Sequence, residues 1–85
     1  RILSDIDLKD AGQDVVKHCI YWCAKETLIK IYGKKDLTLA RHLQISPFSA
    51  GQHGHLIGRI VARNTETEIP LEYLVSDNFV MVVSL

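Results

Sequence analysis

The sequence predicts a small α+β domain in which three helices precede a C-terminal β-hairpin. Apolar residues recur at helical spacing over about 12–32, two shorter helical stretches follow, and residues 69–85 hold two apolar runs separated by a turn signal. The chain has 85 residues, of which 47% are hydrophobic and 24% charged. This length and composition suit a single core, so we treat 1–85 as one domain with a polar lead-in over 1–10.

The first predicted helix spans about 12–32. Asp10 and Gln13 resemble a capping box at its start, and Gly33 is a natural C-terminal cap. Its apolar face is expected to consist of Val16, Ile20, Cys23, Ala24, Leu28 and Ile31. Its solvent-facing side is expected to hold Asp14, His18, Tyr21 and Lys25.

Two shorter helices are predicted over about 38–43 and 50–63, joined by a turn at Gln44–Phe48. From the shorter of the two, the residues expected to point inward are Leu39, Ala40 and Leu43. The apolar stripe of the longer one is Leu56, Ile57, Ile60 and Val61. Its glycines, each costing about 1 kcal/mol inside a helix, indicate a close approach of the backbone to another helix, a ligand or a phosphate backbone.

The C-terminal hairpin is predicted from two strand patterns, about 69–75 and 79–84, around the turn signal Ser76–Asn78. Pro70 lies near the start of the first strand, where proline is tolerated. The second strand is apolar and lies at the end of the chain, so an exposed edge there would invite pairing with another chain.

The net charge is zero, but the charges are unevenly distributed. Residues 30–63 hold six Lys and Arg against one Asp, whereas 64–85 hold four carboxylates and no Lys or Arg. The basic segment could face an anionic partner, or opposite charges could simply cancel in the fold.

Two short helices followed by a hairpin is the order of a winged helix, whose recognition helix enters the DNA major groove with its N-terminal end. We therefore predict a DNA-binding surface on helix 50–63. The residues expected at bases and phosphates are Ser49, Gln52, His53, His55 and Arg59. Those expected at backbone phosphates are Lys34, Lys35, Arg41 and Arg63. The prediction requires Glu66, Glu68 and Glu72 to point away from that helix.

Chemistry of other kinds is not expected. Cys19 and Cys23 lie one helical turn apart, a poor disulfide geometry, so we expect reduced, buried thiols in an intracellular protein, cytoplasmic or nuclear. With His53 and His55 they match no common zinc spacing, and buried thiols are poor nucleophiles. We expect no enzyme activity, no metal and no cofactor. No apolar run approaches the roughly 20 residues that a bilayer requires, no signal peptide is evident, and the chain could be a fragment of a longer protein.

Several short stretches are shared with one known family. They are Leu39-Ala40, Ala50-Gly51, residues 55–59 with Asn64, and residues 69–77. Together they resemble the DNA-binding domain of alkylguanine-DNA methyltransferases and the alkyltransferase-like proteins, over roughly 36–78. The resemblance implies a winged helix and DNA binding.

The departures from this family limit what the resemblance implies. The family's reactive cysteine falls on Leu71, which has no nucleophile, so alkyl transfer is excluded. The other family positions that differ fall on Asp36, His55, Glu72 and Tyr73. Two hypotheses follow: a non-catalytic winged-helix module that binds double-stranded DNA, or a protein-interaction domain of the same fold that binds a partner, or itself, through its C-terminal strand.

Overall fold

A computed structural model of the chain describes residues 3–33, 42–62 and 64–85. Two helices come first, α1 (Asp5–Ala11) and α2 (Val15–Tyr32). Four strands follow: β1 (Leu43–Ile45), β2 (His53–Ala62), β3 (Thr65–Val75) and β4 (Val80–Ser84). The strands form one antiparallel sheet in chain order, with α2 packed on one face. The protein is a small α+β domain, and the prediction of three helices before a hairpin is wrong.

Helix α1 occupies most of the segment expected to be a lead-in. Ser4 begins it: the Ser4 hydroxyl accepts a hydrogen bond from the Asp7 N–H at 3.1 Å, and the Asp7 carboxylate accepts one from the Ser4 N–H at 3.0 Å. This reciprocal cap satisfies two backbone donors at the start of a helix only seven residues long. The capping box predicted at Asp10 and Gln13 is wrong, because the capping box of the structure is that of Ser4 and Asp7 and the long helix is capped by Asp14.

Helix α2 confirms the long helix predicted over about 12–32. Asp14 caps its start by accepting from the Lys17 N–H at 3.1 Å. Gly33 ends it in the left-handed conformation, with φ of 70°, as the sequence predicted. No helix in the described ranges is long and apolar enough to cross a membrane.

The buried face of α2 is rotated from the predicted one. Ile20, Ala24 and Leu28 are buried as expected, but Val16 and Ile31 are exposed, and Tyr21 and Lys25 are completely buried. The reason is α1, whose carboxylates meet both polar groups. Asp7 Oδ2 lies 2.9 Å from Lys25 Nζ, and Asp10 Oδ2 accepts from the Tyr21 hydroxyl at 2.5 Å. Burial is tolerated because each polar group has its partner.

Strand β2 replaces the predicted third helix. The stripe of Leu56, Ile57, Ile60 and Val61 fits a helix, but it also fits a strand. In a strand, Leu56 and Ile60 share one face, and Ile57 and Val61 share the other. Leu56 and Ile60 are buried toward α2, and Ile57 is exposed on the opposite face. Two glycines explain the tight packing of this strand. A Cβ at Gly58 would lie 3.0 Å from Leu28 Cδ2, and one at Gly54 would lie 3.0 Å from the Tyr73 ring. The backbone is closely approached, but by core side chains.

Strand β1 begins where the predicted second helix ends. Leu39 and Ala40 lie outside the described residues, and Leu43, expected on a helix, pairs with Ile60 of β2 as a strand residue. Its side chain is buried, as is that of Ile45, whereas Gln44 between them is exposed. This alternation is that of a strand with one face on the core and the other in solvent.

The hairpin of β3 and β4 confirms the predicted C-terminal strands, although β3 starts four residues earlier than expected, directly after Asn64. Asn64 has a φ of 65°, a left-handed conformation that asparagine tolerates. Pro70 consequently lies inside β3. Its carbonyl accepts from the Leu85 N–H at 3.0 Å. The N–H and C=O of one strand residue point to the same side, so the N–H that proline lacks would also face Leu85, the residue just past β4. The missing bond lies at the end of the ladder, where it costs least.

Helix α2 reaches both edge strands. Lys25 Nζ donates to the carbonyl of Leu43 in β1. Thr27 Oγ1, whose nearest acceptor is the Cys23 carbonyl at 2.9 Å, also lies 3.3 Å from the carbonyl of Val82 in β4. Strands at opposite edges of a four-stranded sheet are roughly 14 Å apart in a flat sheet. Helix α2 has 18 residues and is about 27 Å long, so one helix can contact both edges.

Candidate interaction surface

The outer face of the sheet, the face turned away from α2, carries every second side chain of the strands. Its described residues are Gln44, His53, His55, Ile57, Arg59, Val61, Glu66, Glu68, Pro70, Glu72, Leu74, Met81 and Val83. All of them are exposed except Arg59 and Val61, which are half-buried. The outer face divides into a charged part on β2 and β3 and an apolar part along β4.

The charged part is predominantly acidic. Arg59 Nε lies 3.5 Å from Glu66 Oε1 and 3.6 Å from Glu68 Oε2, and His55 Nε2 lies 3.4 Å from Glu72 Oε2. Exposed ion pairs of this kind add at most about 1 kcal/mol to stability. Their main effect is on the surface potential, because the carboxylates neutralise the guanidinium that was expected to contact phosphate.

The predicted DNA contacts therefore do not come together as expected. Ser49 and Gln52 lie in the connection between β1 and β2, and His53, His55 and Arg59 lie on the outer face of β2. Lys34, Lys35, Arg41 and Arg63 lie outside the described residues. The prediction of a helix over 50–63, whose N-terminal end was expected to enter the groove, is wrong, because residues 50–52 form a loop and His53–Ala62 form β2. Glu66, Glu68 and Glu72 share the face of Arg59 instead of pointing away from it.

The apolar part of the outer face follows the edge strand β4. Met81 and Val83 are 44% and 41% exposed, and the flanking Phe79 and Leu85 continue the alternation at 53% and 66%. Leu74 of β3, 41% exposed, pairs with Met81. A shallow cavity of about 220 Å³ lies here, lined by His53, Glu72, Tyr73, Leu74, Met81 and Val83. No residue from 79 to 85 is charged.

The main chain of β4 has one side directed away from the sheet. The Leu85 N–H donates to the Pro70 carbonyl at 3.0 Å, and the Phe79 carbonyl accepts from the Ser76 N–H at 2.9 Å. Odd-numbered residues of this segment thus face β3. Because the main-chain groups of an antiparallel strand alternate in direction, those of the even-numbered residues point outward. These residues are Val80, Val82 and Ser84. Within the described parts of the chain, no strand pairs with β4 on this side.

A second polar cluster lies between α1, α2 and the loop before β2. Lys17 Nζ is 2.9 Å from Asp10 Oδ2 and 5.0 Å from the centre of the Phe48 ring. The Phe48 ring packs between those of Tyr21 and Tyr73, with centroids 5.1 and 5.7 Å away. The cluster anchors the loop to the helices, and its polar groups already have partners.

The same contacts set the ionisation of the cluster. Burial acts to raise the pKa of the Asp10 carboxyl, but hydrogen bonds from Tyr21, Lys17 and the Phe48 N–H outweigh it and hold that pKa below its usual value. Burial and the neighbouring Asp10 raise the pKa of the Tyr21 phenol well above its ordinary value. Both groups therefore keep their ordinary charge states at neutral pH, as a structural contact requires.

The sequence predicted that both cysteines are buried, and this prediction is wrong. Cys19 is exposed and Cys23 is half-buried, and both are free thiols. The rotation of α2 that buries Tyr21 and Lys25 turns Cys19 outward. Burial, helped by Cys19 and Glu26, raises the pKa of the Cys23 thiol. In the ranges that the structure describes, no three His, Cys, Asp or Glu side chains are grouped as metal ligands.

No protein-family model, no curated protein and no solved structure matches this chain. The resemblance to the alkyltransferase family thus depends on the motif residues alone, and the winged helix that it implied is wrong.

Proposed function

We propose that this chain is a non-catalytic protein-interaction module that binds a polypeptide strand along β4. The observation that carries the proposal is an uncharged edge strand whose outward side chains are all apolar and exposed. Natural edge strands are usually protected by charged side chains, proline or bulges, since their open main-chain groups pair with other chains. The segment from Phe79 to Leu85 has no charge and no proline.

Strand addition would use both features of β4, its unpaired main-chain groups and its exposed apolar side chains. The outward N–H and C=O groups of Val80, Val82 and Ser84 would supply main-chain hydrogen bonds to an added strand. Met81 and Val83 would contact its side chains on the outer face. Recognition of this kind draws affinity from the main chain and specificity from alternate side chains.

DNA binding, the other function suggested by the sequence, has less support. The described cation of the outer face, Arg59, lies against two carboxylates, and Glu72 accompanies His55. Phosphate contacts release counterions, so duplex binding would weaken steeply with salt. A salt-sensitive affinity for duplex DNA that Arg59→Ala reduces would favour DNA over the strand-binding proposal.

An intracellular location belongs to the same proposal. Two free thiols one helical turn apart, one of them exposed, suit a reducing compartment better than an oxidising one.

A strand peptide tests the proposal. The probe is a synthetic peptide of residues 79–85 with lysines added at both ends for solubility, titrated into the isotopically labelled protein. We expect amide chemical-shift changes concentrated in β4. Val83→Lys should abolish binding, whereas the control Ile57→Lys, at a residue equally exposed on the same face but two strands inward, should not. Equal loss in both variants would indicate docking on the open face, and no shift in β4 would contradict the proposal.

A further inference from the structure

We propose that the polypeptide bound at β4 is a second copy of this chain, paired antiparallel about a two-fold axis that passes beside Val82. This inference rests on the proposed function and specifies its partner. The two four-stranded sheets would join into one continuous eight-stranded sheet, with β4 next to β4 at its centre.

The direction of the main-chain groups determines which residues can pair. Only the even-numbered residues of β4 have main-chain N–H and C=O groups that point away from β3. These residues must therefore face each other across the axis. With Val82 opposite Val82 of the second copy, Val80 lies opposite Ser84, and every outward N–H meets a carbonyl. Thr27 Oγ1 lies 3.3 Å from the Val82 carbonyl, but its single proton has a nearer acceptor, the Cys23 carbonyl at 2.9 Å. A carbonyl oxygen has two lone pairs, so the Val82 carbonyl can accept the incoming N–H in either case.

The same register matches the apolar side chains of the outer face. Met81 lies opposite Val83 of the second copy, and Phe79 lies opposite Leu85. All four are at least 41% exposed in the single chain, and each finds an apolar neighbour in the pair. The segment is therefore self-complementary, which is what a two-fold interface requires.

Charge and register are both compatible with a second copy as the partner. Because residues 79–85 have no charged side chain, bringing two copies together places no like-charged side chains opposite each other. This register overlaps all of 79–85, whereas a slip of two residues in one direction sets the carboxylate of Asp77 against Leu85. The sequence thus disfavours that alternative.

The interface is small. Standard stable interfaces bury about 800 Å² per partner, more than two short strands provide, so the association should be reversible and concentration-dependent. Sedimentation of the wild-type chain from about 10 μM to about 1 mM, the range suited to weak interfaces, should show a shift from monomer to dimer. Val83→Lys should weaken it at least about tenfold, because it replaces an apolar contact with Met81 by a charged side chain of the kind that protects edge strands from pairing. Ile57→Lys should leave it unchanged.

Disulfide trapping tests the register without depending on the strength of the dimer. In a background of Cys19→Ser and Cys23→Ala, Met81→Cys chains are mixed with Val83→Cys chains and oxidised. Directly opposed residues of this non-hydrogen-bonded pair have Cα atoms about 4.5 Å apart, within disulfide reach. We expect cross-linked heterodimers in this mixture and far fewer when either variant is oxidised alone or when Met81→Cys is mixed with Ile57→Cys.

The outcomes separate this inference from the proposed function. A chain that stays monomeric over the whole range, or a dimer that Val83→Lys does not weaken, overturns the homodimer. If the strand peptide still binds β4 in that case, the interaction module stands with a different partner. If neither the peptide nor a second copy binds, both are wrong.

Discussion

The buried ion pair between Asp7 and Lys25 permits a stringent test of the packing described above. Both side chains are at most 2% exposed, and their charged atoms lie 2.9 Å apart. Asp7→Asn is the perturbation of choice, because the amide oxygen can still accept the Ser4 N–H that caps α1. The substitution leaves the cap in place and removes only the negative charge.

The expected cost follows from what remains buried. In Asp7→Asn the Lys25 ammonium loses its counter-charge and keeps only neutral acceptors among the contacts described above, the Leu43 carbonyl and an amide oxygen in place of the carboxylate. Removing one partner of a buried pair destabilises a protein by about 3–5 kcal/mol. Domains are stable by about 0.05–0.15 kcal/mol per residue, roughly 4–13 kcal/mol for this chain. Asp7→Asn should therefore remove a large share of the total free energy of unfolding.

Urea unfolding followed by circular dichroism gives the measurement. Glu68→Gln is the matched control, the same carboxylate-to-amide change at a residue that is 64% exposed and 3.6 Å from Arg59, and should cost less than about 1 kcal/mol. The double variant Asp7→Asn/Lys25→Met should be more stable than Asp7→Asn alone, because it removes the stranded charge. A cost for Asp7→Asn no larger than the control, or a double variant less stable than the single one, would refute the reasoning.

Two further predictions concern the core. Gly58→Ala should lower the free energy of unfolding by about 1–3 kcal/mol, because the added Cβ would lie 3.0 Å from Leu28. The control Gly51→Ala, whose Cβ would have no described atom beyond the adjacent residues nearer than 3.9 Å, should be nearly neutral. Equal urea midpoints for the two variants would contradict this. Tyr21 has a raised pKa in the folded state, so above about pH 10 the unfolded chain loses this proton first and stability falls as pH rises. Tyr21→Phe should remove that component of the alkaline loss, and parallel stability curves for the two proteins would exclude it.

The sequence predicted the parts of the fold that local signals determine. The long helix ends at Gly33 because only a left-handed residue closes it there, and the C-terminal hairpin turns at Ser76–Asn78 because polar turn residues separate two apolar runs. The edge strand at the chain end, which carries the proposed interaction, was also visible as an uncharged apolar run. Its exposure could be expected but not measured from the sequence.

The rotation of α2 could not be predicted from the helix itself. Tyr21 and Lys25 look like solvent-facing residues until α1 supplies Asp10 and Asp7 as partners. The sequence signal for α1 is short, a serine three residues before an aspartate, and it lies in a segment whose polar character predicts a lead-in. Burial of a charged residue is decided by a contact between elements, which a periodicity within one element does not contain.

The error over 50–63 arose where two periods coincide. Spacings of four fit both a helix and a strand, so Leu56 with Ile60, and Ile57 with Val61, cannot distinguish them. The glycines could have done so. In a helix, three of them at about 1 kcal/mol each would have been a serious cost with nothing to offset it. In β2, Gly54 and Gly58 both face the core, where their missing Cβ atoms make room for Tyr73 and Leu28. The spacing of four between Gly54 and Gly58 is thus better explained by a strand whose glycines both face the core than by a recognition helix. Without that helix, DNA binding loses its geometric basis, and the uncharged edge strand β4 becomes the surface to test first.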